Sequence, residues 1–426
     1  MTSDFARLSL RYLVRPVERT GFADYQVLSV YRDHGVIPKS SRTDNYNKTP
    51  ADLSRYQLVR KGDLVVNKMK AWQGSLGISD HEGIVSPDYL VCQINRPVDS
   101  RYLHHLLRSA PLISEFGSRS KGIRPAQWRL YWEDLAQVQV LLPPIEEQRR
   151  ISDFLDKETA RVNDLAALRR KQDATLEERY DAAISDLTTP GIGKSGSRNH
   201  TWPWLPRELD VARLGYLARV QSGVTVHGAR DRDPEDSEYP YLRVANVQGE
   251  RVDLTEVKTI TIPKPMAMRS TLRPGDVVMT EANGNPDNLG RGAVWHGEIA
   301  NMVHQNHVFA VRVDPNKLIP EYLSSLLAAS HGRRYFRFTS SQVGIATTSS
   351  SKVLEFPIPV RNIAEQRQVV REYAALRESV ERVRNSLSRQ IDLLSERRQA
   401  VITAAVTGQF DVSTASGRNV TEGVTV

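Results

Sequence analysis

Cysteine, long apolar runs and secretion signals are scarce or missing in this sequence of 426 residues. Cys92 is the only cysteine, which excludes an intramolecular disulfide bond and a metal site built from several cysteines. No apolar run approaches the roughly 18 residues that a membrane span requires, and the N-terminus lacks the apolar core of a signal peptide. We therefore expect a cytoplasmic protein that makes no contact with a membrane.

Recognisable catalytic motifs are also missing. Gly191 to Gly196 match the pattern GxGxxG, but they follow a predicted helix, whereas nucleotide-binding loops of this kind follow a strand. Asn285 to Asn288 are similar to the Asn-Pro-Pro-aromatic motif of amino-methyltransferases, but the second proline and the aromatic residue are absent, so a turn is the better interpretation. The sequence therefore gives little support to an enzyme.

Two polar sets keep other functions open. Asp236, Glu256 and Lys258 have the composition of a Mg²⁺-dependent nuclease site, although such spacing often arises by chance in a polar chain. Three histidines have the composition of a zinc site, but polar strand ends or DNA contacts explain them better: His296, His304 and His307.

The composition favours a folded protein with a basic surface. Hydrophobic residues make up 40% of the chain, which suffices for sizeable cores, and the length suits about three domains. The 58 lysine and arginine residues exceed the 50 acidic residues, so the formal net charge is +8. This excess suits a nucleic-acid partner, although many basic proteins bind none.

The strongest pattern is a long charged stretch that occurs twice. Pro143-Pro-Ile-Glu-Glu-Gln-Arg149 opens the first copy, and Ile363-Ala-Glu-Gln-Arg367 opens the second. The same register persists to the far end of both copies, where Ile184 corresponds to Ile402. Each copy predicts one long helix, which a Pro-Pro pair starts in the first copy.

Apolar residues in both copies follow the alternating 4-3 spacing of a coiled-coil seam. Glu158, Arg169 and Gln172 interrupt the first seam. Two helices in one register, with one seam weaker than the other, favour pairing within the chain over two independent surface helices. The predicted helix-pairing residues are Ile151, Leu155, Val162, Leu165, Leu176, Val369, Tyr373, Leu376, Val380, Val383, Leu387 and Leu394.

The regions that precede the two helices also repeat, at lower similarity. Lys61 to Val66 corresponds to Pro274 to Met279, and the predicted short helix Arg101 to Leu107 corresponds to Glu321 to Leu327. Short apolar runs such as Asp88 to Ile94 predict strands between them. The predicted divisions are a first domain (1–142), a long helix (143–188), a flexible linker (189–200), a second domain (201–360), a second long helix (361–408) and a disordered tail (409–426).

Polar loops with basic and aromatic residues lie between the predicted strands. Lysine and arginine suit contacts to phosphates, and Arg, Asn and Gln can make bidentate contacts to base edges. A duplicated reader on a long spacer predicts a bipartite DNA target, with the helices fixing the gap between its halves. The candidate DNA-binding residues are Arg32, Lys39, Arg42, Tyr46, Asn47, Lys48, Lys68, Lys70, Trp72, Arg119, Lys121, Arg124, Gln127, Arg230, Arg243, Asn246, Asn283, Asn285, Arg291, His304, Gln305, Asn306, His307 and Gln342.

With these features the chain resembles the specificity subunit of type I restriction–modification systems, over nearly its whole length. The duplicated Glu-Gln-Arg helices are the specific part of the resemblance. Further stretches typical of that family are Gly62-Asp63, Asn67 to Trp72, Ser86 to Tyr89, Tyr241 to Asn246, Gly290 to Gly292 and His304 to His307.

The resemblance implies an α+β fold, in which two tandem mixed α/β target-recognition domains are separated by two long antiparallel coiled-coil helices. Each domain would read one half of an interrupted sequence in double-stranded DNA. The chain itself would catalyse nothing and would recruit two methyltransferase and two restriction subunits. S-adenosylmethionine, ATP and Mg²⁺ are then expected in those partners, with no cofactor in this chain. The alternatives are a self-contained Mg²⁺-dependent nuclease and a helical scaffold that binds only protein.

Overall fold

A computed structural model of the chain describes residues 5–32, 34–42, 49–124, 127–225, 235–285, 288–341, 345–409 and 412. The chain divides into two compact units. Unit 1 comprises residues 1–170 and 388–426, and unit 2 comprises residues 171–387. Each unit therefore contains one mixed α/β domain together with part of each long helix.

Unit 1 has as its centre a four-stranded antiparallel sheet. Its elements are β1 (Ala6–Ser9), β2 (Val14–Pro16), β3 (Leu28–Tyr31), β4 (Gly35–Pro38), β5 (Gln57–Val59), β6 (Leu64–Asn67), β7 (Leu76–Ile78), β8 (Gly83–Val85), β9 (Tyr89–Ile94), α1 (Ser100–Leu107), α2 (Ala110–Arg119), α3 (Trp132–Leu135) and β10 (Gln139–Leu142). The central sheet has the order β2-β9-β6-β7, and β1 pairs with β10 beside it. Strand β10 leads directly into the long helix α4 (Ile145–Thr188).

Unit 2 repeats this plan with insertions. Its elements are β11 (Val211–Arg213), β12 (Ala218–Ser222), β13 (Ser237–Leu242), β14 (Val247–Gln248), β15 (Arg251–Val252), β16 (Lys258–Ile262), α5 (Lys264–Ser270), β17 (Val277–Thr280), β18 (Ala282–Asn283), β19 (Gly292–Val294), β20 (Val303–His304), β21 (Val308–Val313), α6 (Pro320–Ala328), α7 (Ser330–Thr339), β22 (Ala346–Thr347), α8 (Ser350–Leu354) and β23 (Pro357–Pro359). The sheet β12-β21-β17-β19 matches the central sheet of unit 1, and β11 pairs with β23 before the long helix α9 (Ile363–Val406). The internal duplication is therefore visible in strand order as well as in sequence.

A buried aspartate anchors the central sheet in each unit. Asp63 accepts a hydrogen bond from the backbone N–H three residues earlier and pairs with Arg19 at 2.5 Å. Asp276 does the same and binds Arg312 through both carboxylate oxygens, at 2.7 and 2.8 Å. The two Gly-Asp motifs recognised in the sequence are thus equivalent turns, in which the aspartate satisfies a buried backbone donor.

The glutamine of the first Glu-Gln-Arg motif fastens α4 to its domain. Gln148 is 4% exposed, and its side-chain oxygen accepts a hydrogen bond from the backbone N–H of Asp99 at 2.9 Å. Its side-chain nitrogen donates to the carbonyl of Pro143 at 2.8 Å. Since Asp99 is the N-cap residue of α1, one amide side chain ties the starts of two helices together.

The glutamine of the second motif makes the same connection in unit 2. Gln366 is 2% exposed, and its oxygen accepts from the backbone N–H of Ile319, which precedes α6, at 2.9 Å. Its nitrogen donates to the carbonyls of Lys317 and Arg361, both at 2.9 Å. We call these two equivalent sets of hydrogen bonds the glutamine clamps.

The long helices run antiparallel within each unit. In unit 1, Ile151 and Leu155 near the start of α4 share a hydrophobic core with Val401 and Ile402 near the end of α9. In unit 2, Ile184 near the end of α4 packs with Tyr373 near the start of α9. Early residues of one helix therefore lie against late residues of the other, as the resemblance implied.

The buried faces of the two long helices follow most of the predicted seam. On α4, Ile151, Leu155 and Val162 are buried, and on α9 the predicted residues Val369, Tyr373, Val380 and Leu387 are buried. Two predicted pairing residues are wrong, because Leu165 is 39% exposed and Val383 is 45% exposed. After Val162 the buried face of α4 continues at Ala166, at 9% exposure, since a helix of 3.6 residues per turn returns to one face after either three or four residues.

Salt bridges add to the apolar packing in the part of the helix pair that belongs to unit 2. Arg384 of α9 contacts Asp173 at 3.2 Å and Glu177 at 2.5 Å, both on α4. These side chains are between a third and a half exposed, so each pair adds little stability by itself.

The ends of both long helices have defined connections. Helix α9 stops in a Schellman motif, in which Gly408 has φ +70° and the N–H of Gln409 donates to Ala404 at 2.9 Å. The segment after α4 predicted as a flexible linker (189–200) makes defined contacts. Ile192 is buried, and Arg198 forms a β-bridge with Pro206. Most of the predicted disordered tail lies outside the described residues, although Val412 is buried in the unit 1 core.

We expect the glutamine clamps to contribute measurably to stability. Replacing Gln148 or Gln366 by Ala leaves a buried backbone N–H and at least one carbonyl without a partner, so the free energy of unfolding should fall by about 1–3 kcal/mol. Gln368→Ala is the matched control, because Gln368 is an exposed glutamine on α9 whose side chain donates to Glu372 of the same helix. Urea denaturation followed by circular dichroism measures the change, and clamp variants as stable as the control would contradict the role.

A buried histidine makes unit 2 sensitive to acid. His331 is fully buried, its Nε2 lies 2.7 Å from the carbonyl of Pro357, and the indole N–H of Trp204 points at its Nδ1 at 3.1 Å. Burial lowers the pKa of His331 from 6.5 to about 4. Between pH 6.5 and pH 4 the unfolded chain therefore binds a proton at this histidine that the folded chain does not bind. The contribution of His331 to the free energy of unfolding is fully present above pH 6.5 and is lost as the pH falls toward 4.

Between pH 7 and pH 5, His331 should lower the free energy of unfolding by about 2 kcal/mol. His331→Asn removes this titrating group, so the variant, although less stable at pH 7, should lose about 2 kcal/mol less over the same interval. His296→Asn, at an exposed position, should keep the full pH dependence. Urea denaturation at both pH values gives the comparison, and equal pH dependence in the His331 variant and the wild type would exclude this assignment.

Candidate nucleic-acid interface

Three loops of unit 1 carry the candidate DNA-binding residues, and the structure brings them together: loop A (31–42), loop B (67–74) and loop C (119–129). Loops B and C are joined through the backbone, because the N–H of Leu130 donates to the carbonyl of Lys68 at 2.8 Å. Their aromatic residues also touch, with the rings of Trp72 and Trp128 packed edge to face at 5.4 Å. Loop C is thereby fixed against loop B.

Loop A is held to the same region by a buried arginine. The guanidinium of Arg108 donates to the carbonyl of Leu76, just beyond loop B, at 3.0 Å and to the carbonyls of Tyr31 and Arg32 in loop A. Within loop A, the Arg42 guanidinium lies over the ring of Tyr31, 4.9 Å from its centre. A buried charge that donates to several carbonyls rigidifies the loops it joins.

The basic side chains of unit 1 differ in the salt bridges and hydrogen bonds that they make within the protein. Arg119 pairs with Glu115 at 2.6 Å, and Lys121 pairs with Asp134 at 2.7 Å. Lys68 donates to a carbonyl at 3.1 Å, and Lys39 donates to a hydroxyl at 2.8 Å. The exposed candidates of the three loops are Arg32, Lys70, Lys121, Arg124 and Gln127.

In unit 2 a second group of candidates gathers around Glu281. The backbone N–H of Glu281 donates to the carbonyl of His307 at 2.9 Å, and its carboxylate contacts the His307 ring at 2.8 Å. Its carbonyl accepts from Thr348, and Asn283 pairs with Ala346 in a two-stranded ladder. The exposed side chains of His307 and Asn285 and the half-buried side chain of Asn283 therefore belong to one set of connected loops.

The remaining half-buried candidates of unit 2 make specific contacts of their own. Gln305 accepts from the N–H of Val244 at 3.3 Å, and the backbone of Asn306 bonds to Val224 at 3.0 Å. Arg243 pairs with Glu256 at 3.3 Å. These residues therefore lie beside strand β13 and its neighbours.

Two candidates belong to the interior of the fold. Asn246 is 4% exposed, and its amide closes a turn by accepting from Arg243 and donating to Asp253. His304 is fully buried with its Nδ1 2.6 Å from the carbonyl of Val308, and burial lowers its pKa. Neither side chain is presented to a duplex, because a solvent-facing position would break these hydrogen bonds.

Arg291 faces a cavity rather than the connected loops. It bonds to Asn288 and lines a space that is also lined by Arg333, Arg377 and Arg384. Burial, followed by the nearby charge of Arg333, lowers the pKa of Arg291. The sequence could not distinguish this arginine from those of the surface loops, since it too follows a polar stretch rich in asparagine and glycine.

The residues of the possible nuclease and zinc sites make other contacts in the structure. The Glu256 carboxylate is 73% exposed and pairs with Arg243, and the pairing partner of Lys258 in strand β16 is Tyr241. Among the residues that the structure describes, no three His, Cys, Asp or Glu side chains are grouped to hold a metal ion. Five candidates for DNA contact lie outside the described residues: Tyr46, Asn47, Lys48, Arg230 and Gln342.

Sequence reasoning passed over the glutamines that position these surfaces. Gln148 and Gln366 were visible only as part of a repeated motif, although their identical place in both copies was an available signal. Chemically, the exposed loops offer cationic and amide side chains, which suit phosphates and base edges. No described helix is both long and apolar enough to cross a membrane.

Comparison with known proteins agrees with this architecture. No protein-family model matches the sequence. The chain is 21% identical, over 83% of its length and 76% of the relative's, to the type I restriction enzyme StySPI specificity subunit of Salmonella potsdam. It is 20% identical, over 49% of its length and 48% of the relative's, to the putative type I restriction enzyme MjaX specificity subunit of Methanocaldococcus jannaschii.

Solved structures show the same fold. A chain from a type I restriction–modification system, solved to explain complex assembly and conformational transition, superposes with a TM-score of 0.69 at 17% identity. The match covers 96% of this chain and 99% of the other. In sequence and in fold, the protein resembles the specificity subunits of type I restriction–modification systems.

Proposed function

We propose that this chain is the non-catalytic DNA-specificity subunit of a type I restriction–modification complex. Each unit reads one half of a bipartite, interrupted target in double-stranded DNA. The observation that carries this proposal is the contrast between the two units: the glutamine clamps, the buried aspartates and the sheet order are the same, whereas the exposed loops differ. A shared frame with different loop residues is what two readers of different sequences require.

The loops of unit 1 supply a cationic surface for the DNA backbone. Arg32, Lys70 and Arg124 are exposed and belong to three loops that are bonded to one another. Phosphate contacts of this kind position a protein on DNA, and amide side chains such as Gln127 add contacts to base edges. The surface of unit 2 offers Asn283, Asn285 and His307 in place of lysines, so its reading of bases relies on amides and imidazole.

The long helices are the proposed docking surface for partner subunits. They are strongly charged, yet several large apolar side chains remain exposed on them: Leu165, Leu168, Val383 and Leu393. Exposed apolar side chains on an otherwise polar surface often mark a protein interface. Methyltransferase and restriction subunits bound there would bring S-adenosylmethionine, ATP and Mg²⁺, while this chain supplies the DNA contacts.

The first expected result concerns the salt dependence of DNA binding. Lys70→Ala together with Arg124→Ala should weaken binding of the full chain to a random-sequence duplex. The slope of log affinity against log salt concentration should become smaller by up to about 1.8, because each phosphate contact contributes roughly 0.9 to that slope. Arg149→Ala is the matched control, since this exposed arginine lies on α4 and pairs with Glu146. Fluorescence anisotropy over a range of salt concentrations measures the slope.

Wild-type protein whose binding does not depend on salt would exclude DNA as the partner and favour the scaffold that binds only protein. A double variant with the slope of the Arg149 control would instead place the DNA surface elsewhere on the molecule.

The second expected result concerns the gap in the target. Adenine-methylation mapping of the host genome should show one interrupted two-part motif that disappears when the gene is deleted. Inserting one helical turn at equivalent positions of α4 and α9 should lengthen the gap and leave both half-sites unchanged, because the loops that read them are untouched. An altered half-site with an unchanged gap would contradict the spacer role of the helices.

A further inference from the structure

Each unit presents one isoleucine to solvent from equivalent loops. Ile123 in loop C is 95% exposed, and Ile345 in unit 2 is 59% exposed. Both loops follow the second short helix of their domain, α2 or α7, and both contain the dipeptide Gly-Ile. Ile123 lies two residues after Lys121 on the first arm of its loop, whereas Ile345 lies two residues before Thr347 on the second arm of its loop. A single exposed isoleucine needs no explanation, but one in the corresponding loop of both halves of a diverged duplication does.

The exposure is imposed by the fold of the loop in unit 1. Lys121 and Arg129 exchange two backbone hydrogen bonds, at 2.9 and 3.0 Å, and the N–H of Gln127 donates to Arg124 at 2.8 Å. A side chain at Gly122 would lie 2.6 Å from the carbonyl oxygen of Gln127, so only glycine fits there. The described backbone on either side of Ile123 is therefore held by hydrogen bonds, with the isoleucine side chain exposed.

The loop of unit 2 is closed in the same way. Ser341 and Thr347 exchange two backbone hydrogen bonds, at 3.0 and 3.1 Å. The next residue after Ile345, Ala346, pairs with Asn283 of strand β18. In both units a two-strand closure thus holds the isoleucine at a defined position.

Both isoleucines lie in candidate DNA surfaces that also carry carboxamide side chains. Ile123 shares loop C with the exposed Gln127 and is flanked by Lys121 and Arg124, also exposed. Ile345 lies next in sequence to the residue that pairs with Asn283, and Asn285 is exposed two residues beyond that asparagine. An amide and an aliphatic group therefore occur together in each unit.

This combination matches the chemistry of one base pair. In the major groove, adenine offers an acceptor and a donor that suit the amide of Asn or Gln, and its partner thymine offers a methyl group that suits an apolar side chain. We propose that Ile123 and Ile345 are specificity-determining residues, each contacting the methyl group of a thymine in the half-site read by its unit. This inference rests on the proposed DNA-reading function and names one residue in each unit that would contact a thymine.

The test uses the full chain and the duplex target that methylation mapping defines. Replacing each thymine in turn by deoxyuridine removes one methyl group and keeps base pairing. For the wild type, affinity should fall about fourfold at one thymine of each half-site, which is the factor corresponding to burial of one methyl-sized group. Ile123→Ala should weaken binding to the unsubstituted target and abolish the deoxyuridine effect in one half-site only.

Ile345→Ala is the matched control, because it should abolish the effect in the other half-site and leave the first unchanged. An Ile123 variant that keeps the wild-type deoxyuridine effect overturns the proposal, as does a target with no thymine at which the substitution matters. Equal weakening on thymine and uracil targets also overturns it, because that pattern indicates a wedge between bases rather than a methyl contact. Failure of the underlying function looks different, since the wild-type chain would then show no salt-dependent affinity for any duplex.

Discussion

The amide side chain of one buried glutamine in each unit fastens the start of the long helix to the domain that precedes it. A glutamine offers a donor and an acceptor on one rigid plane, so it can satisfy a carbonyl ahead of its own helix and an N–H ahead of another at once. Gln148 and Gln366 use both ends in this way. Glutamate could not donate and leucine could do neither, so the motif tolerates little change while the loops around it vary.

A second contact attaches the domain of unit 2 to helix α9. The hairpin formed by β14 and β15 carries Glu250 at its turn, and this carboxylate contacts Arg377 of α9 at 3.0 Å. Tyr373, one turn earlier on α9, is buried beneath, and burial raises its pKa. Helix α9 is thus fixed to its domain at its start and again more than two turns later, which limits rotation of the domain about the clamp.

Much of the architecture could be predicted from the sequence, because the internal duplication shows the same elements twice along the chain. The helix predicted over 143–188 runs from Ile145 to Thr188, and the one over 361–408 runs from Ile363 to Val406. The strand predicted at Asp88 to Ile94 is β9, shifted by one residue at its start. Proline, charge pattern and apolar periodicity act locally, so these features are readable from the chain alone.

The site was less readable, for physical reasons. Burial of a polar residue depends on partners distant in sequence, which is why Asn246 and His304 look like their exposed neighbours until the fold is known. On α4 the predicted seam is correct at Val162 and wrong at the next position, where Ala166 is buried and Leu165 is exposed, because steps of three and of four residues both stay near one face of a helix with 3.6 residues per turn. Isoleucine is usually buried, but Ile123 lies among lysine, glycine, arginine and proline in a stretch typical of a loop, and it is 95% exposed.

The burial of the last turns of α9 in the core of unit 1 has a consequence for how the chain is made. Val401, Ile402, Ala405 and Val406, together with Val412, complete a core whose other members lie among the first 155 residues, whereas unit 2 is one continuous segment. During translation, unit 2 can therefore fold while unit 1, most of which is synthesised first, still lacks the end of α9. The half of the protein that is translated first is the half that finishes folding last.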